Sequence, residues 1–341
     1  MKKGIIVVVL VLFVLTSFRM QENLDVPESW PKPFYSYEKY PLQQAQVNLG
    51  KALFYDNILS KDSSISCSSC HLSYTAFTHV DHDLSHGIYD RIGKRNAPAL
   101  MNLAWSQYMM WDGAINHIEM QALAPIHDTT EMAETIEHVV DKLNRSTLYK
   151  KLFYIAYKDS VATGEKTLKS IAQFLRTLIS ANAKYDQVKR GETAFTAQEQ
   201  QGYILYQKYC SSCHQEPLFT TYQFANNGLK PDSILKDIGR ANITQRAEDS
   251  FKFKIPTLRN IEYSFPYMHD GRFKTLRQVL NHYTDGIQFS NTLDETLRKP
   301  IPLTSNQKVD LIAFLLTLSD KEFLFNPAHQ YPKEIFGVMP K

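Results

Sequence analysis

Every position from Ile5 to Leu15 is Ile, Val, Leu or Phe, with Lys2 and Lys3 just before the run and Arg19 just after it. Eleven apolar residues are too few for a membrane-crossing helix, which needs about 20. A basic start followed by a short apolar core predicts an export signal at 1–20. No small-residue cleavage pattern follows, so an uncleaved N-terminal anchor stays open. Further on the pattern becomes helical. Leu168, Ile171, Phe174, Leu175, Leu178 and Ile179 keep i, i+3, i+4, i+7 spacing, as do Val309, Ile312, Leu315 and Leu316. Both stretches predict helices with one core-facing stripe. Two more helix-like segments run Gln46–Phe54 and Glu199–Tyr209. Thr196 with Glu199 three residues on predicts a capping box after a linker at Gly191–Ala197. From Gln215 to Lys254, Pro217, Asn226-Asn227-Gly228 and Pro231 predict turns rather than regular structure. The chain therefore reads as mostly α with little strand.

Length and charge add limits. A chain of 341 residues suggests two domains. Lys and Arg total 38 against 35 Asp and Glu, which leaves no basic footprint for nucleic acid. Loss of Lys2, Lys3 and Arg19 with the signal would take the formal charge from +3 to zero.

The four cysteines carry the chemistry. Cys67-Ser68-Ser69-Cys70-His71 and Cys210-Ser211-Ser212-Cys213-His214 are the same C-x-x-C-H motif used twice, and no other cysteine exists. The motif attaches c-type haem. Two thiols three positions apart can each add to one porphyrin vinyl group, and the next histidine then lies under the iron as proximal ligand. A Cys₄ zinc site, a thioredoxin-like redox pair and plain disulfides remain as alternatives. Each leaves the repeated histidine unexplained, and the redox pair also wants a βαβ setting. The motifs lie 143 residues apart in the numbering, enough for one haem domain each.

Several stretches in a fixed order point further: LGKALFYDNILSKDSSISCSSCH, RNAPALMN, MWDGAINHIEMQALAPI, EM, GYILYQKYCSSCH, FKIPTLRN and PYMHDGRFKTL. From about Leu49 to about Thr317 the chain resembles the bacterial dihaem cytochrome c peroxidase family, which includes the methylamine-utilisation enzyme MauG. The resemblance implies two cytochrome c-like haem domains packed against each other. These would be 21–190, the N-terminal peroxidatic half, and 191–341, the C-terminal electron-transfer half. It implies two covalently bound c-type haems, with Cys67, Cys70, His71 and Cys210, Cys213, His214 as their attachment and proximal residues. Glu131 would be the general acid/base, Gln121 would position bound peroxide or water, and Trp111 would bridge electron flow. Taken alone, a Glu is more often a solvated side chain and a Trp a packed core residue. Asn96, with the carbonyls of Ser264 and Pro266, matches a Ca²⁺ site; hard oxygen ligands suit that ion. His86, before Gly87, matches a removable sixth ligand of the N-terminal haem. The segment to Asn96 runs about two residues longer than in typical members, His79 and His82 compete, and a surface-loop histidine is the alternative.

Two positions depart from the typical pattern. Where most members place a Met as sixth ligand of the C-terminal haem, this chain has Tyr283, as MauG does; Met268 is the other candidate. A phenolate stabilises ferric iron and would lower the potential. Ala114 stands where many members carry Arg after Trp-Asp-Gly. The expected activity is reduction of hydrogen peroxide in the periplasm. Electrons would come from a small redox protein or a quinol-linked donor and enter at the C-terminal haem. The rivals are a MauG-like oxidase acting on a protein or organic substrate and a non-catalytic dihaem electron carrier. Members are often dimers, but no residue here argues for a homodimer.

Overall fold

The computed structural model describes residues 26–337. The expected export signal at 1–20 lies outside the described residues. Among them no helix is long and apolar enough to cross a membrane.

The chain folds as helices joined by long irregular segments, with one two-stranded antiparallel ladder, β1 (Phe224–Ala225) and β2 (Phe253–Lys254). All four predicted helices are present: Gln44–Tyr55, Gly164–Thr177, Ala197–Tyr209 and Ser305–Leu316. They pack in two pairs, the first with the second and the third with the fourth. Each pair crosses at a glycine. A Cβ on Gly50 would collide with the Ser170 carbonyl, and one on Gly202 with the Asp310 carbonyl. Only a bare Cα lets these backbones approach so closely. In both cases the glycine helix leads into a C-x-x-C-H motif, so the same crossing sets the same motif against its core twice. Thr196 and Glu199 form the predicted reciprocal cap.

Among the described residues each pair has its own hydrophobic core, and a smaller third cluster gathers Trp30, Ala104, Trp105 and Leu218. The first gathers Leu49, Leu53, Phe54, Phe77, Phe153, Ile171 and Phe174. The second gathers Tyr185, Tyr206, Phe219, Leu311, Phe314 and Leu318. The chain end returns to the first: Phe323 and Leu324 belong to that core, and the Phe323 and Phe77 ring centroids lie 6.1 Å apart.

Beside the second core, Arg259 is fully buried and holds Asp186 through two bonds of 2.8 and 2.7 Å. Its guanidinium also lies over the Trp30 ring at 4.6 Å. Removing one member of such a pair strands a buried charge, at a cost of about 3–5 kcal/mol. Asp186→Ala should therefore move the denaturant unfolding of the holoprotein to markedly lower concentration. An unchanged midpoint would show that the pair contributes little.

Candidate functional site

Cys67–Cys70 is a single helical turn opened by a cap in which Ser66 and Ser69 bond reciprocally. Residues i and i+3 share a helix face, so the two sulfurs face one side. Neither cysteine pair forms a disulfide. Burial pushes the Cys67 thiol up to about 12 and Cys70 to about 11, with the Glu131 charge adding to both. Cys210 is likewise pushed up to about 12 by burial and by Cys213.

Both motif histidines are prepared as ligands. His71 Nδ1–H donates to the Phe77 carbonyl at 2.7 Å. His214 Nδ1–H donates to the carbonyls of Phe219 at 3.2 Å and Pro256 at 3.1 Å. Burial holds both imidazoles down at about 4, hence neutral. A bond from Nδ1–H to a backbone carbonyl fixes the tautomer and leaves Nε2 for a metal.

A cavity of about 260 Å³ adjoins the second motif. Its wall includes Cys210, Cys213, His214, Trp111, Asn96, Lys254, Met268 and Tyr283. A flat, largely apolar group tethered at Cys210 and Cys213 fits this lining. Both candidate sixth ligands reach the cavity, and one side chain touches both. Asn227 Nδ2 donates to Met268 Sδ at 3.4 Å and to the Tyr283 hydroxyl at 3.5 Å. Tyr283 sits in a π-helical turn, His282–Gly286, directly after the helix Leu276–Asn281. Such turns are rare and frequent at functional sites.

Near the first motif, Glu131 is the charged neighbour of Cys67 and Cys70. Burial, with Asp128 second, pushes its carboxyl up to about 7. Gln121 is buried; its Nε2 donates to Met110 Sδ at 3.5 Å and its Oε1 has no partner. An orphaned buried acceptor calls for an absent group or water. His86 is beside Cys70, whose Sγ–H donates to the His86 carbonyl at 3.5 Å, and its ring bonds Asp90. The competitors His79 and His82 do not lie elsewhere. The three rings adjoin in series, His79 stacked on His82 at 5.2 Å and His82 tilted against His86 at 4.1 Å, and His79 Nδ1 is buried without a partner. Gly87 lies against Thr130 and Glu131 so closely that a Cβ would collide with the Thr130 carbonyl.

Beside the second motif, Trp111 Nε1–H donates to the Asn96 carbonyl at 2.8 Å. Asn96, Ser264 and Pro266 share the cavity wall. They offer three neutral oxygens, about half of what Ca²⁺ takes. Among the described residues no group of three or more His, Cys, Asp or Glu could hold a metal.

The sequence reading missed three cations here. Arg95 bonds Asp112 at 2.6 Å and Asp237 at 2.6 and 2.9 Å. Arg240 lies over Phe224 at 3.8 Å and donates to the Asp112 carbonyl at 3.0 Å. It thereby brings a guanidinium to the turn where Ala114 supplies none. Lys254 donates from Nζ to the Tyr108 carbonyl at 2.8 Å. A lone cation in sequence looks like a solvated side chain, so no signal marked them.

Comparison with known proteins is consistent with this geometry. The sequence profile described as di-haem cytochrome c peroxidase matches residues 44–194. Methylamine utilization protein MauG of Methylorubrum extorquens is 34% identical over 86% of this chain and 82% of its own length. Cytochrome c551 peroxidase of Nitrosomonas europaea is 33% identical over 70% of this chain and 73% of its own. Among solved structures, a MauG-like protein associated with microbial copper homeostasis superposes with a TM-score of 0.79 at 29% identity, over 91% of this chain and 99% of that one. With two C-x-x-C-H motifs on one repeated helix crossing, and with relatives that align across both, the chain belongs to the dihaem cytochrome c peroxidase and MauG family of oxidoreductases, and its prosthetic groups are two c-type haems.

Proposed function

We propose that the chain reduces hydrogen peroxide to water at its N-terminal half, 21–190, with electrons that enter through its C-terminal half, 191–341. The observation that carries this reading is Glu131, with Gln121 as a second polar side chain of the same half. One is a half-buried acid beside Cys67 and Cys70 whose carboxyl is pushed up to about 7. The other is a buried amide with an unpartnered oxygen. When bound, the haems supply the redox chemistry of O–O cleavage. The net reaction is H₂O₂ + 2e⁻ + 2H⁺ → 2H₂O. Glu131 takes a proton from the entering peroxide and returns it to the departing oxygen, which needs an acid poised near the working pH. Gln121 Oε1 accepts from the peroxide O–H and orients it. His71 and His214 serve as proximal ligands. Trp111, held at its indole N–H by Asn96 and at its carbonyl by the Lys254 amide, keeps a fixed place between the halves. His86, its ring bonded to Asp90, would be the residue that holds the N-terminal haem removably as a sixth ligand. Purified protein carrying two haems that fails to consume peroxide with any small or protein reductant would sink the reading.

Relatives named cytochrome c peroxidase support hydrogen peroxide as substrate and a small redox protein as donor. The N-terminal run supports export to the periplasm. Calcium at Asn96 would need water to complete its shell, so a weakly held, chelator-removable ion is expected there.

Gly87 gives a separate test. Gly87→Ala should wedge the His86 segment from Glu131, and a misplacement of about 1 Å can cost about 100-fold in rate. Peroxide turnover at unchanged haem content measures it.

A MauG-like oxidase is the second reading, favoured by Tyr283 on the cavity wall. Protein or organic substrate oxidation in place of peroxidase turnover would select it.

A further inference from the structure

We propose that Lys254 is the charge partner of a propionate of the haem held by Cys210, Cys213 and His214, and that it fastens this carboxylate to the Trp111 segment. The inference rests on that haem assignment, not on peroxide chemistry.

The cavity beside the second motif must receive a group with two carboxylates. Among the described residues lining it, Lys254 is the one Lys or Arg and Asp294 the one acid. His214 and His269 also line it, but burial holds both imidazoles neutral, at about 4. Lys254 is thus the full positive charge available to an anion there.

Its ammonium is poorly matched by the protein alone. It is half-buried, and it forms no ion pair among the described residues. Its one acceptor is the Tyr108 carbonyl at 2.8 Å, although an ammonium has three donors. Burial pushes the amine down to about 8 against the opposing charge of Asp112. A buried charge left this way is costly unless a counter-charge completes it.

The same residue is anchored at both ends. Its backbone N–H donates to the Trp111 carbonyl at 2.7 Å, and its side chain bonds Tyr108, three positions earlier. A carboxylate on Nζ would be joined through one residue to both sides of the Trp111 turn.

The experiment is spectroelectrochemistry of the C-terminal haem in the holoprotein with Lys254→Met, Lys254→Gln and Lys254→Arg. An ammonium beside the propionate offsets its negative charge and favours the arriving electron. The midpoint potential should therefore fall in the Met and Gln variants and stay near the parent value in the Arg variant. Gln keeps a donor for Tyr108 but no charge, so a parent-like potential in Lys254→Gln would overturn the proposal. If the variants fail to fold, redox-difference infrared spectra of the unsubstituted protein decide. The propionate carboxylate band should shift on H/D exchange of the ammonium, and an unshifted band overturns the proposal. Mass spectrometry of the Cys210–His214 peptide checks the premise separately. A missing haem there would remove the assignment and the proposal with it.

Discussion

Glu131→Gln should lower peroxide turnover by about 10²–10⁴-fold, the usual contribution of a positioned acid/base, with both haems still attached. The amide keeps size and polarity but cannot carry a proton. Stability should move the other way. Burial raises the Glu131 pKa to about 7, above the about 4.3 of an unfolded chain. Between these values the folded state holds more protons than the unfolded one, so stability falls as pH rises through the window. Glu131→Gln removes that penalty. The variant should be more stable than its parent at pH 8 and indistinguishable below about pH 4. Turnover and unfolding measured on the same preparations check both halves. Equal turnover would remove Glu131 from the chemistry, while an absent pH-dependent gain would show that its carboxyl is not held in the protonated form.

Tyr283→Met should shift the midpoint potential of the C-terminal haem upward by roughly 0.1–0.3 V, within the about 0.8 V range that axial ligands set. A phenolate favours ferric iron and a thioether favours ferrous. Met268→Leu is the control, because Asn227 touches both side chains and geometry alone does not separate them. If Leu at 268 shifts the potential and Met at 283 does not, Met268 is the ligand.

The fold was legible where the signal is local. Apolar stripes gave the helices Gly164–Thr177 and Ser305–Leu316, although Val309 and Leu316 of the second stripe lie exposed, and Thr196 with Glu199 gave a cap, because helix periodicity and capping act within a few residues. The C-x-x-C-H motifs are local too. The irregular segments between the helices were not legible. Ala76, Phe77, Tyr89, Asp90, Asn102 and Met110 all take positive φ without being glycine. Such conformations persist only where tertiary contacts over-determine them, so nothing in the local sequence announces them. Gln121 and Glu131 are separated by one short helix, Leu123–His127, and a turn, too little for a period to show, and only the family resemblance links them. Lys254, Arg95 and Arg240 became visible as a group only once Asp112, Asp237 and Tyr108 were placed around them.

The return of the chain end has a consequence for order of assembly. Phe77 carries the carbonyl that orients His71, and its ring rests against Phe323 and His329. Tyr55, at the end of the helix before the first motif, donates its hydroxyl to the His329 carbonyl. A polypeptide emerging N-terminus first therefore presents Cys67 and Cys70 long before the residues that close their surroundings exist. Haem can be ligated to an open, half-made core, and the last segment then seals it, so truncation after Leu318 should leave the first haem attached but poorly enclosed.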